Sequence, residues 1–306
     1  MAGDSLPGHG RTPVHTAVAV VGSLNLDLIA RVPHMVAPGE TILAEEFGEH
    51  PGGKGLNQAV AAARFGPTAL VGAVGDDDSG RTLLDYARSR GVDVTAVERS
   101  RTTTGRALIT LTPDGENSIV VAPLANMSIQ PDEAVAALAR LAPSVVLIQF
   151  EIPVAVVDAV AAWTSSSTSR LVVNPSPIRA MSVDALASAD PLLVNVGEAR
   201  DILTTIPPST IAAAGASSSE LARALSIHCR SVVVTAGPDG AVVGIDGEIA
   251  VVPAPRVDDV RDSSGAGDAF AGTLCVQLAH GKSLHDATRV AVEEAARIVA
   301  ATRDDR

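Results

Sequence analysis

Aromatic residues make up only 2% of this 306-residue chain, which argues against ligand binding by base stacking on aromatic platforms. Lysine is almost absent. Lys54 and Lys282 are the two lysines, and the formal net charge is -12. A nucleic-acid or anionic-membrane surface needs clustered cationic side chains, so neither is an expected partner, and small molecules are. Cysteine is as scarce: Cys229 and Cys275 lack metal-ligand or CxxC spacing and sit in apolar surroundings. They read as buried thiols in a reducing cytoplasm. No apolar run reaches the length of a membrane span, and the stretch Met1 to Thr16 is polar, with Gly, Pro and His but no signal-peptide core. Residues 1–16 are expected to be a disordered extension.

What the chain has is aliphatic. Hydrophobic residues make up 46%, mostly Ala, Val and Leu, and a chain of this length buries about 75% of its unfolded surface. Short apolar runs recur at Ala17 to Val21, Val145 to Phe150, Leu171 to Val173, Leu192 to Val194 and Val232 to Val234. Continuous apolarity marks strands buried on both faces. Helical patterns lie between them at Asn57 to Arg64, Gly80 to Arg90, Asp132 to Leu141 and Val154 to Trp163, giving an α/β fold with a mostly parallel sheet. Ile29 to His50 and Arg106 to Val121 break the alternation. The first reads as extended segments, the second as a hairpin turning at Pro113-Asp114-Gly115, and together they predict a separate small sheet. Pro207 to Ser219 reads as a surface loop. The whole predicts one domain over 17–306, with inserted strands at about 28–50 and 103–123.

The strongest local motif is Asp262-Ser263-Ser264-Gly265-Ala266-Gly267-Asp268-Ala269-Phe270, leading into a helical pattern over Ala271 to Ala279. Small residues leave backbone N–H groups open at a helix N-terminus, where an anion is favoured. Asp268 in that first turn is either a general base for an attacking hydroxyl or an acidic helix cap. A second glycine run, Pro51-Gly52-Gly53-Lys54-Gly55-Leu56-Asn57-Gln58-Ala59, also enters a helix. It is not a P-loop, because Gly55 stands where the Mg²⁺-binding Ser or Thr is required. Lys54 is either a solvated loop lysine or part of a site. The first strand lacks GxGxxG and is followed by Asn25 and Asp27, expected at its C-terminal end. Glu151, Asn174, Asn195 and Thr235 end other strands in polar groups. Ligands of open α/β sheets bind at those ends, and a polyol would need such groups.

Asn25-Leu26-Asp27, the run Gly52 to Ala59, Asn195-Val196-Gly197-Glu198 and Gly265 to Phe270 together resemble the ribokinase family of carbohydrate kinases. Supporting stretches are Pro38-Gly39-Glu40-Thr41, Gly75 to Gly80, Gly91-Val92-Asp93 and Thr235 to Gly240, so the likeness runs from about residue 17 to about residue 290. The resemblance implies a Rossmann-like three-layer α/β/α sandwich with a small β-sheet lid, and a homodimer formed through that lid. It implies ATP-dependent phosphorylation of a sugar primary hydroxyl, D-ribose to D-ribose 5-phosphate first among candidates. A sister kinase for another sugar, sugar acid or nucleoside stands as the alternative, and a catalytically inactive sugar-binding regulator as the alternative of another class. By position, Asp268 would be the general base and Gly265, Ala266 and Gly267 the anion hole. Asn25, Asp27, Gly53, Lys54, Asn57, Ala107, Val121 and Glu151 would bind the sugar. Asn195, Thr235, Gly237 and Gly240 would contact ATP, Glu198 would support Mg²⁺ through water, and Asp262 and Ser264 would help hold K⁺. The chain departs from the family pattern at Leu56, at Pro123-Leu124-Ala125-Asn126 and after Ala301, where Asp304-Asp305-Arg306 ends the sequence.

Overall fold

The computed structural model describes residues 16–206, 215–257 and 264–301. In chain order the first half runs β1 (Val18–Val21), β2 (Asn25–Arg31), β3 (Glu46–Gly52), α1 (Lys54–Ala63), β4 (Thr68–Gly75), α2 (Asp78–Ser89), β5 (Val92–Ser100), β6 (Gly105–Leu111), β7 (Asn117–Ala122) and α3 (Pro131–Leu141). The second half runs β8 (Val145–Gln149), α4 (Val154–Ser165), β9 (Arg170–Asn174), α5 (Val183–Ser188), β10 (Leu192–Asn195), α6 (Val196–Thr205), α7 (Ser218–Leu225), β11 (Val232–Thr235), β12 (Ala241–Ile245), β13 (Glu248–Val252), α8 (Ala266–Ala279) and α9 (Leu284–Ala300).

Nine strands form one sheet in the order β13-β12-β11-β10-β9-β8-β1-β4-β5. It is parallel from β11 to β5, and β12 and β13 add an antiparallel edge. Strand period two explains the layers. In β1, Ala19 and Val21 join a core built with α3 to α7, while Val18 and Val20 join a second core built with α1, α2, α8 and α9. Both faces of the strand are therefore apolar, as its uninterrupted sequence implies. This is the expected α/β/α sandwich.

A second sheet has the order β3-β2-β6-β7. Here one expectation is corrected: Asn25 and Asp27 do not end the first strand. β1 stops at Val21, Gly22 to Leu24 turn the chain, and Asn25 opens β2 in the small sheet. The alternation Asn25, Asp27, Ile29 is the pleat of that sheet rather than of the large one. The loop expected over Pro207 to Ser219 also ends earlier. Ser217 caps α7 in a capping box with Glu220, so 218–219 are helical, while 207–214 lie outside the described residues, as do 1–15 of the expected extension.

α8 is buried all round from Ala269 to Leu278, because it packs on α1 and α9 as well as on the sheet. Gly272 permits the α1 contact: a Cβ there would meet the Gln58 carbonyl oxygen at 2.6 Å and the Ala62 nitrogen at 2.7 Å. This close approach brings the first turns of α1 and α8 together. Cys229 and Cys275 are free and buried, as the sequence predicts; burial pushes the Cys229 thiol up to about 12 and Cys275 up as well. Among the described residues, no helix is long and apolar enough to cross a membrane.

Candidate active site

Gly265 is the N-cap of α8, and its φ of 77° is in the left-handed region that glycine adopts freely. Glycine brings no capping side chain, and space for a Cβ is open at both Gly265 and Gly267. The first N–H groups of α8 lack intrahelical acceptors and lie at the positive end of the helix. Ala266 and Gly267 follow, and Asp268 closes the first turn. Ser264 precedes the helix, and Asp262 lies outside the described residues.

Asp268 is held from two sides of α1. Asn57 Nδ2 donates to its Oδ2 at 3.2 Å and Gln58 Nε2 donates to its Oδ1 at 3.0 Å. Dense surroundings push its carboxyl above the ordinary aspartate range, while the Lys54 ammonium and both amides pull it back down. The net shift is upward. Lys54, Asn174, Ser176, Asn195, Glu198, Thr235, Gly265, Gly267 and Asp268 surround a cavity of about 210 Å³. The expected base, the glycine turn and the expected lysine thus meet in one place, and Lys54 is a site-lining residue rather than a solvated loop lysine.

A larger cleft of about 610 Å³ adjoins it and shares Asn195 and Thr235. Gly237 lines it, together with Arg200, Ser217 and Asp239. Gly240 does not line it. A Cβ at Gly240 would meet the Val252 carbonyl oxygen at 2.1 Å, and its φ is 92°, so glycine there is a packing and backbone requirement. Asn195 caps α6 by accepting from Glu198 N at 2.9 Å, and Glu198 returns the bond by accepting from Asn195 N at 2.9 Å. The Asn-Val-Gly-Glu motif is thereby a capping box set at the cavity wall.

On the other side of Lys54, Glu151 Oε2 accepts from Ser23 Oγ, from Lys54 N at 3.3 Å and from Asn25 Nδ2 at 3.4 Å. Gly53, with φ 91°, caps α1 so closely to β2 that a Cβ would meet the Asn25 nitrogen at 2.8 Å. Asn25, Gly53, Lys54 and Glu151 are therefore one contiguous group. Asp27 follows on β2, its carboxylate lying over Gly52, where a Cβ would meet Oδ2 at 2.1 Å. Strand register sets His50, Asp27, Ala107 and Val121 in one row across the small sheet. Residues opposite one another share a face, so Ala107 lies beside Asp27 and Val121 one strand beyond it.

Several contributors carry no obvious mark in the sequence. Asn126 is fully buried, and its amide holds Leu24 N at 2.9 Å, Leu24 O at 3.2 Å and Asn25 Oδ1 at 2.7 Å. It belongs to the stretch that departs from the family pattern, where Leu124 takes φ 44°. Ser23 fixes Glu151, and Gln149 backs Gln58 at 2.5 Å. A lone Gln in the apolar run Val145 to Phe150 is the one sequence signal that could have exposed the last. Leu56, in contrast, points away from the site; it is fully buried in the core with Leu24, Leu70 and Phe270.

A nine-stranded sandwich with a second small sheet, and a glycine-led helix opening on a cavity beside it, defines the ribokinase-like α/β fold. The sequence matches the pfkB family carbohydrate kinases over residues 15–304. It is 35% identical to the ribokinase of Bacillus subtilis, with 90% of this chain and 89% of that one covered. Among solved structures, a Thermotoga maritima ribokinase superposes with a TM-score of 0.84 at 26% identity, covering 94% of this chain and 93% of that one. An Arabidopsis thaliana ribokinase complexed with ribose and ATP superposes with a TM-score of 0.81 at 28% identity, covering 94% and 93%. The chain belongs to the pfkB family of carbohydrate kinases.

Proposed function

We propose that this protein transfers the γ-phosphoryl group of ATP to the primary hydroxyl of D-ribose, giving D-ribose 5-phosphate. The observation that carries the reading is Asp268: a carboxylate held by two amides at the open N-terminus of α8, on the wall of a cavity that also contains Lys54. In this reading Asp268 accepts the hydroxyl proton as the sugar oxygen bonds to the γ-phosphorus and the bond to the leaving ADP oxygen breaks. The N–H groups of the Gly265-Ala266-Gly267 turn would stabilise the charge on the phosphoryl oxygens in transit. Likeness to a ribokinase complexed with ribose and ATP supports both substrates.

Asn25, Asp27, Gly53, Lys54, Asn57 and Glu151 would hold the sugar hydroxyls, with Ala107 and Val121 as an apolar wall. The connected group around Glu151 and the register row around Asp27 support that assignment. Asn195, Thr235 and Gly237 line the larger cleft, which has room for the nucleoside part of ATP. Gly240 would act by shaping the turn that carries Gly237. The residues fit a divalent ion only through water: Glu198 lines the cavity but is already engaged as a cap. Mg²⁺ bound there with ATP would neutralise phosphate charge. K⁺ would sit by Asp262 and Ser264, next to the turn it would order.

The small sheet, with the inserted strands at about 28–50 and 103–123, would act as a lid and as the contact between two copies. Phe47, Leu108, Ile119 and Val120 are large apolar side chains more than half exposed on it, which supports a homodimer. Two free buried thiols suit a reducing cytoplasm.

The test is ATP consumption measured against ribose, deoxyribose, fructose, 2-keto-3-deoxygluconate and nucleosides. The expected outcome is highest kcat/KM with ribose. Highest kcat/KM with another sugar would reassign the substrate within the family, and ATP binding with no turnover on any would favour a sugar-binding regulator.

A further inference from the structure

Behind Asp268 lies a buried chain of side-chain amides that no step described above uses. Leu193 O, a backbone acceptor on β10, receives Asn174 Nδ2 at 3.0 Å. Asn174 Oδ1 receives Gln58 Nε2 at 3.0 Å, and the same Gln58 nitrogen donates to Asp268 Oδ1 at 3.0 Å. Gln58 Oε1 in turn receives Gln149 Nε2 at 2.5 Å. Gln58 and Gln149 are fully buried.

The polarity of this chain follows from its first member. A carbonyl oxygen only accepts, so Asn174 must turn its NH₂ to Leu193 and its oxygen to Gln58. Gln58 then spends one amide hydrogen on Asn174 and the other on Asp268, which leaves its oxygen facing Gln149. Gln149 must present its own NH₂ there, and its Oε1 is left buried with no hydrogen-bond partner among the described residues. That unsatisfied oxygen is a cost the fold carries to keep Gln149 turned this way. Gly22 makes the space, since a Cβ there would meet Gln149 Oε1 at 1.9 Å. A flipped Gln58 would set its oxygen against both Asn174 Oδ1 and the Asp268 carboxylate.

We propose that Gln58, locked in one orientation by Gln149 and Asn174, is a positioning residue that commits Asp268 Oδ1 to a buried hydrogen bond and leaves Oδ2 to take the substrate proton. Oδ2 is the oxygen reached by Asn57, a residue of the assigned sugar side. Gln58 reaches the reaction only through Asp268, and Gln149 only through Gln58. The inference rests on the reading of Asp268 as the base.

The test is a double-mutant cycle of Gln58→Met and Gln149→Met on the full chain, read as kcat, KM for ribose, KM for ATP and Tm. A lost hydrogen bond to a charged group predicts that Gln58→Met lowers kcat by roughly 10- to 100-fold with both KM values within about threefold. Gln149→Met, which touches neither Asp268 nor the cavity, is expected to lower kcat by about 5-fold alone. In the Gln58→Met background it is expected to change kcat less than about 2-fold, because nothing is left for it to orient. Additive kcat losses, or losses seen in Tm with kcat intact, would overturn the proposal. If Gln58→Met does not fold, Gln149→Met decides alone: an unchanged kcat overturns the relay, and a kcat loss at constant KM supports it. Asp268→Asn run alongside separates the failures. Full turnover in that variant removes the base reading itself, whereas lost turnover there with intact kcat in the Gln variants removes only the relay.

Discussion

Gly272 on α8 sits directly against Gln58 on α1, so close that a Cβ at position 272 would meet the Gln58 carbonyl oxygen at 2.6 Å. The contact is between backbones, which cannot move aside as a flexible side chain would. It sets the distance between the two helices that carry Asn57, Gln58 and Asp268. Gly272→Ala is therefore expected to cost about 1–3 kcal/mol of stability by overpacking and to lower kcat as well, since Asp268 shifts relative to its two amide donors. Thermal unfolding and steady-state kinetics on the same preparation check this. A variant with unchanged Tm and unchanged kcat would show that the helices tolerate separation without consequence for the site.

Asp27 lies on the small sheet, whereas Asp268 lies on α8 beside the large sheet, and the two assignments separate by substrate. Asp27→Ala removes charge-assisted hydrogen bonds to sugar hydroxyls worth about 1.5–3 kcal/mol, so KM for ribose is expected to rise by roughly 10- to 100-fold with KM for ATP nearly constant. Isothermal titration with each ligand gives the same comparison without turnover. Equal weakening of both ligands would make Asp27 a support of the sheet rather than a sugar contact.

Crowding around Asp268 raises its carboxyl above the usual aspartate value of about 4, and a base works only when ionised. The rate is expected to fall as pH drops through that raised value, so the acid limb of kcat/KM for ribose lies above the ordinary aspartate range. The sign for stability is the reverse of the common carboxylate case. Ionised Asp268 costs the folded state stability at pH above its raised folded value, and the cost vanishes as pH falls toward the unfolded value. An acid limb that persists unchanged in Asp268→Asn would belong to a different group.

Potassium tests the segment before α8. If Asp262 and Ser264 hold half of a monovalent-cation site, activity is expected to rise with K⁺ over Na⁺ or a bulky organic cation and to saturate only at high concentration, with Asp262→Asn reducing the response. Initial rate titrated against KCl at constant ionic strength decides it. A flat curve would remove the cation site.

The layered fold was legible because both faces of the central strands are buried, which leaves continuous aliphatic runs such as Val145 to Phe150 in the sequence. Lys54, Asn57 and Asp268 were legible for a different reason: glycine-rich turns entering helices mark places where backbone must stay open. Asn25 and Asp27 were identified but set on the wrong sheet, because a period-two pattern does not say which sheet the pleat belongs to. Gln58 and Asn126 gave no signal of their role, and Gln149 only that of a lone amide in an apolar run. Their importance lies in hydrogen bonds between residues 91 to 210 positions apart, and a buried amide is identical in sequence to a solvated one. Gly240 illustrates the converse, a motif residue whose glycine identity is required by packing against Val252.

The central claim is that the Asp268 carboxylate is the base in ATP-dependent sugar phosphorylation, and Asp268→Asn tests it most directly. Asparagine keeps the shape and removes the basicity. We expect kcat for ribose phosphorylation to fall by roughly 10²–10⁴-fold, the usual contribution of a positioned general base, while the dissociation constants of ribose and ATP, measured by titration, change by less than about 5-fold. Turnover within about 3-fold of wild type would contradict the account and leave Asp268 as an acidic cap on α8.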